Sequence, residues 1–177
     1  MSAGGNATGD PFQLIVNSSV EGATSTGYST GTWHHFLGVF ASSTDRRVYI
    51  DGGSKGTDST SIVPAFIGGV TKISLAAEGA SNGIDGDIAE VGVWSVALSD
   101  ADAVLLSTNK YAPPLVETAS LEAYWPLIAD DDDASGNGLH MTAVNSPTFG
   151  THVPDMVYSL GSPIPVFVNH YRQLGSM

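Results

Sequence analysis

Apolar and polar positions along this chain alternate over short stretches, the signature of half-buried strands. FQLIVN (12–17) reads as a first strand. In TWHHFLGVFA (32–41), Trp33, His35, Leu37 and Val39 fall on one face and His34, Phe36 and Phe40 on the other. Both faces are apolar, so this strand is expected to be central. SSTD (42–45) is a turn and RRVYID (46–51) returns, with Val48 and Ile50 on one face and Arg47, Tyr49 and Asp51 on the other. The pair predicts a β-hairpin. Asp51-Gly52-Gly53 predicts a second tight turn, because glycine reaches positive φ without a steric cost.

Weaker strand patterns follow at 64–70 and in TKISLAA (71–77), then a loop EGASNG (78–83) and IDGDIAEVGVWSVA (84–97). LSDADAVLLSTNKYAPP is the one helical pattern, expected over about 100–109. Ser99 and Asp102 stand as a capping-box variant, and Pro113 and Pro114 as stops. SLEAYWPLI (120–128) is another strand. An acidic turn, ADDDDASGNG (129–138), leads to LHMTAV (139–144). The expected organisation is a flexible arm over 1–11, a β-sandwich over 12–150 and an extended tail over 151–177. The expected core is Trp33, Leu37, Val39, Val48, Ile50, Ile88, Val91, Val93, Trp94, Leu105 and Trp125. Many short strands, one short helix and frequent glycine turns predict an all-β jelly-roll sandwich.

Composition narrows the chemistry. The 177 residues hold 18 acidic and 6 basic side chains, a net charge of −12, and no cysteine. Disulfides and thiolate metal sites are excluded. Nucleic acid is not an expected partner, because a phosphate backbone needs clustered Lys and Arg. No apolar run approaches a membrane span. The first 25 residues lack the basic and apolar regions of a signal peptide.

Three segments in order, GTWHHFLGVF, RRVYIDGG and GDIAEVGVWSVALSDADAVLL, resemble the laminin-G-like, concanavalin A-like lectin/glucanase family. They match its Trp-His strand, its Y-x-D-G hairpin, its G-x-I-x-E-V strand and its A-L-S helix cap. LEAYWPLIADDDDASGNGLHMTAV resembles a second family element, which opens many such domains but here follows the helix. That order is similar to laminin-G-like proteins of bacteriophage and environmental viral genomes. The resemblance covers about residues 12–150 and implies a concanavalin A-like (laminin-G-like) jelly roll. Family members usually carry several strands before the Trp-His strand. Only about 30 residues precede Trp33, so the sandwich is expected to be short by some strands, its edge filled by the tail or by a neighbouring subunit.

The candidate chemistry is sparse. Asp85, Asp87 and Glu90 resemble the carboxylates of the glucanase branch, but regular strand geometry turns Glu90 away from the other two. The plainer reading is an ordinary strand, and no enzyme activity is expected. Gly52-Gly53-Ser54-Lys55-Gly56 spells G-x-S-x-G without the strand-turn-helix that a nucleophile elbow needs. Asp131-x-Asp133-x-Ser135-Gly136 has the opening rhythm of a calcium loop, with Asp131, Asp133 and Asn137 as the candidate ligands, though Thr142 stands where its Glu belongs. The alternative is an acidic turn in which Asp133 bonds the Ser135–Asn137 backbone. His34 and His35 point to opposite faces, so they do not share a metal, and one is expected in the core.

The resemblance and the two chain ends together imply a non-enzymatic virion structural protein, a phage decoration or tail-associated subunit at the virion surface. Its partners are then other subunits of the same shell, with neither nucleic acid nor membrane. The alternative is a secreted or cell-surface carbohydrate-binding adhesion module, with calcium as its cofactor if it has one. Val157, Tyr158, Leu160, Ile164, Val166, Phe167 and Tyr171 in the apolar tail are the expected interface.

Overall fold

The computed structural model describes residues 2–3, 11–16, 19–29, 31–62, 86–144 and 146–160. Its strands form three antiparallel sheets. The first joins β1 (Ser2–Ala3), β2 (Pro11–Val16) and β3 (Ser19–Gly27). The second joins β4 (Phe36–Ser42), β5 (Asp45–Ile50) and β6 (Gly53–Asp58), each paired with the next. The third pairs β7 (Val91–Trp94) with β8 (Leu121–Trp125), and α1 (Asp100–Ser107) lies between them in the chain. The expected strands at 64–70 and 71–77 lie outside the described residues.

The β4–β5 hairpin is the centre. Leu37 stands opposite Tyr49 and Phe36 opposite Ile50, so the two faces of the ladder are apolar in register. One face, with Leu37, Val39 and Tyr49, packs against Leu98, Ala103, Leu106 and Val116. Trp94, Leu105 and Tyr111 border that cluster. On the other face the Phe36 ring stacks on Phe12 of the first sheet at 4.2 Å and meets the edge of Tyr28. The central position expected for this hairpin follows from burial on both sides.

Arg46 is fully buried. Its guanidinium donates to the Ser43 carbonyl at 2.6 Å, to Asp58 at 2.8 Å and to the Thr60 carbonyl. Several acceptors offset the desolvation of its charge and tie the chain after β6 back to β5.

The helix starts as expected. The Ser99 hydroxyl accepts from the Asp102 amide, and the Asp102 carboxylate accepts from the Ser99 amide at 2.8 Å. Asp100 in the first turn accepts from Tyr49 at 2.6 Å and from Lys55 at 2.8 Å, which fixes the helix on the second sheet. The helix ends at Ser107, before the prolines. The chain turns through Lys110 at φ 52°, and Pro113 opens a short 3-10 turn instead.

Several expectations are corrected. Trp33 is 36% exposed, because the strand begins only at Phe36 and the alternation does not extend back to it. Val93 is 44% exposed, and an irregularity at Val93/Trp94 directs the Trp94 indole inward, where it donates to the Val116 carbonyl. The first sheet supplies more strands ahead of Trp33 than expected. Its longest, SVEGATSTG, is too polar and glycine-rich to read as a strand. Ser2 and Ala3, expected in a mobile arm, pair with Gln13 and Phe12.

Gly52 sits at φ 72°, where an added Cβ would lie 2.1 Å from Ser107 Oγ and 3.1 Å from the Ala103 carbonyl. The β5–β6 turn therefore approaches α1 as closely as it does because this residue has no side chain. Gly52→Ala is expected to cost about 2 kcal/mol or more through left-handed strain and lost helix contact. Urea unfolding at unchanged m-value measures it, and a midpoint equal to wild type would contradict the packing described.

Candidate functional site

The described carboxylates are drawn into three polar centres. At the first, residues 87–90 are not yet strand, and Glu90 adopts φ 57° just before β7. That left-handed step turns its side chain into the domain, where only 8% of it is exposed. Tyr124 donates to Oε2 at 2.7 Å and Tyr158 to Oε1 at 3.0 Å. His152 Nε2 lies 2.7 Å from Oε1, close enough for an ion pair but outside hydrogen-bonding geometry. Burial and the adjacent carboxylate push both phenols above their ordinary range. Asp87 instead stands beside Gly150, and Asp85 lies outside the described residues. Glu90 is thus a clasp joining β8 and the segment around 152–158.

The second centre is the acidic turn. Asp133 is buried, and its Oδ1 accepts from the amides of Tyr124 and Ser135 at 2.9 Å each. Its Oδ2 accepts from the Leu139 amide and the Ser135 hydroxyl, also at 2.9 Å. Burial alone would raise the carboxyl. The three amides and the hydroxyl outweigh it and hold the group well below the usual carboxylate range. Asn137 donates to the Leu121 and Glu122 carbonyls, while Asp131 offers its backbone carbonyl to Met141. The calcium triple is therefore not assembled as a ligand set. Asp133 spends its lone pairs on N–H and O–H donors, and Asn137 turns its amide nitrogen to β8. Among the described residues, no group of three or more His, Asp or Glu side chains is placed to hold a metal. The acidic-turn alternative was close, but its anchor reaches Tyr124 and Leu139 as well as Ser135.

The third centre joins the two histidines to the β5–β6 turn. His34 Nδ1 lies 2.8 Å from Asp51 Oδ2, and the His35 amide donates to Asp51 Oδ1 at 2.9 Å. The His35 ring is the core histidine. Its Nδ1 is buried and finds no hydrogen-bond partner among the described residues. Desolvation, only partly offset by Asp51, lowers its pKa to about 4.

Residues 4–103 match the family model described as the concanavalin A-like lectin/glucanases superfamily, more than half of the 177 residues. The chain belongs to that superfamily. No curated protein and no solved structure matches the chain. The superfamily match spans the Trp-His strand, the Y-x-D-G hairpin and the start of α1, and it agrees with the antiparallel sheets and single helix. The Y-W-P-L strand lies beyond it, yet as β8 it pairs with β7 of the matched region.

Of the expected interface, Ile164, Val166, Phe167 and Tyr171 lie outside the described residues. Val157 is placed against its own domain. Its amide donates to the Lys110 carbonyl at 2.8 Å, and its carbonyl accepts from the Ala112 amide at 2.9 Å. Tyr158 bonds Glu90, and Leu160 is 64% exposed. The segment at Val157 and Tyr158 is therefore bonded to this domain. The clasp partners Tyr124, His152 and Tyr158 carry no sequence signal, since they stand 34 to 68 residues from Glu90.

Two predictions follow from these centres. Unfolding returns His35 to an ordinary pKa near 6.5, so between pH 6.5 and 4 the unfolded chain binds the extra proton. Its contribution to stability is present above pH 6.5 and declines on acidification by roughly 3 kcal/mol. Chemical denaturation across that range is expected to show this loss, and His35→Leu to flatten it. Asp133→Asn should cost about 2–3 kcal/mol by facing an amide N–H₂ against donors, while Asp131→Asn stays within about 0.5 kcal/mol. Thermal unfolding in EDTA and in calcium separates the clasp from a metal site, since a calcium-dependent melting temperature in wild type would reverse this assignment.

Proposed function

We propose that the chain is a structural, assembly-forming subunit of a virion, a decoration or tail-associated module that turns over no glycan. One observation carries the reading: large apolar side chains are exposed along the segment that leads into the tail. Ile128, Leu139, Phe149 and Tyr158 are all exposed, Val144 is 74% exposed and Leu160 is 64% exposed. Scattered surface hydrophobes are ordinary, but this many along one segment of an acidic module mark an interface. The virion setting rests on the order of elements, with the Y-W-P-L strand after the helix as in phage-type laminin-G-like proteins. Enclosure of Glu90 behind two tyrosines and a histidine supports a non-catalytic role for the carboxylates of the glucanase-like motif.

A second reading, a carbohydrate-binding adhesion module, is favoured by the exposed Trp33 indole, because aromatic faces stack on sugars. Light scattering on wild type and on the double variant Val144→Asp, Phe149→Asp distinguishes the two. The structural reading expects a multimer in wild type, a smaller particle in the variant, and melting temperatures within a few degrees. A monomeric wild type that binds glycans on an array, with binding lost in Trp33→Ala, would replace it with the adhesion reading.

A further inference from the structure

The His34–Asp51 pair has no part in the assembly reading, and its surroundings differ from those of a simple structural pair. Gly31, at φ 79°, carries the chain across the imidazole and brings two hydroxyls to it. Ser29 Oγ lies 3.1 Å and Thr32 Oγ1 3.0 Å from His34 Nε2, and the two hydroxyl oxygens are 3.1 Å apart. On the far side of the ring, Nδ1 meets Asp51 Oδ2 at 2.8 Å. Asp51 is held rigidly, since it accepts the His35 amide on Oδ1 and donates its own amide to the His35 carbonyl at 2.9 Å. The order serine, histidine, aspartate thus reads through one imidazole, with both contacts at hydrogen-bond distance.

An ionised carboxylate only accepts, so the ring carries its hydrogen on Nδ1 and leaves Nε2 as an acceptor. One lone pair on Nε2 faces the Ser29 hydroxyl, the Thr32 hydroxyl and the Ser29 amide at 3.3 Å. They cannot all donate to it, so at least one hydroxyl proton is left for another acceptor. Ser29 and Thr32 are exposed. The approach to the serine is therefore open. His34 itself is largely shielded, with 17% of its side chain exposed.

We propose that Ser29 is an activated nucleophile toward small acyl esters, with His34 as its general base, Asp51 orienting the ring and Thr32 supplying a hydrogen bond to the developing oxyanion. Ser29 Oγ adds to the ester carbonyl carbon as its proton passes to Nε2. The imidazolium is then held by Asp51 at Nδ1 and by the Ser29 carbonyl, 3.1 Å from Nε2. Thr32, released from Nε2, donates to the carbonyl oxygen, which now bears the negative charge. Collapse of the adduct breaks the bond to the alcohol oxygen, and the alcohol departs with the proton from Nε2. A water molecule gives a proton to the same nitrogen and adds to the acyl carbon; collapse then breaks the bond to Ser29 Oγ, which takes the proton back from Nε2, and the acid leaves. The sum is ester plus water giving acid plus alcohol.

The test is a fluorophosphonate probe on the full chain, read by peptide mass, beside p-nitrophenyl acetate turnover. The probe is expected on Ser29. Ser29→Ala should remove the label and lower p-nitrophenol release about 100-fold. Thr32→Val should slow turnover less. His34→Gln should suppress labelling while the far-UV spectrum stays native. If that variant does not fold, the exposed-site variant Ser29→Ala carries the test. Wild type that folds but leaves Ser29 unlabelled, or labelling indifferent to His34→Gln, would overturn the proposal.

Discussion

Burial of β5 on both faces is the constraint on which the rest of this domain depends. Val48 and Ile50 face one layer and Tyr49 the other, and all three are buried. A strand in that position leaves no solvent to satisfy polar groups, so each one within it or at its ends needs a fixed partner. Arg46 finds its partners in the chain around 43–60, the Tyr49 hydroxyl in Asp100, and the strand's end in the Asp51 contacts to His34 and His35. These partners set where the loop after β6, the helix and the segment leading into β4 lie. Packing supplies most of the stabilisation, and the polar ties decide the arrangement.

A chain with 18 carboxylates and 6 cationic side chains cannot give every acid a base. It also uses amides and hydroxyls. Asp133 gathers three backbone N–H groups, Asp102 caps α1, and Glu90 gathers two phenols. Glu90 joins segments distant in sequence and Asp133 ties its turn to β8, which lets loops without regular structure hold a definite course. The unpaired remainder leaves the surface acidic, which discourages non-specific contact with anionic partners. The large apolar side chains exposed along 128–160 are the surface on which the proposed assembly rests.

The superfamily frame and the acidic-turn anchor together explain how β8 takes its place. The Asp133 amide contacts and the Asn137 amide hold the turn on β8, and the Trp125 indole donates to the Leu139 carbonyl. A strand that follows the helix in sequence is thereby locked beside β7, and its Tyr124 reaches Glu90 from that position. The displaced order of elements does not disturb the sheet, because pairing depends on register and side-chain complementarity rather than on chain order.

The amino-acid sequence determined by itself whatever rests on local periodicity and local chemistry. The β4–β5 hairpin, the glycine turn after Asp51, the Ser99–Asp102 cap and the superfamily motifs were all legible, because each is decided within a few residues. The strand over 19–27 was not, since its polar, glycine-rich pattern is overridden by pairing with β2. Trp33 read as core because alternation was carried past the point where the strand begins. His34 and Asp51 could be marked as family positions, but not Ser29 and Thr32 beside them, since the bend through Gly31 brings them to the ring. Glu90 and its partners were likewise invisible as a set, for they converge from 34 and more residues apart. Only tertiary structure makes such neighbours, because a buried carboxylate selects its donors by proximity in space, and sequence separation carries no energy of its own.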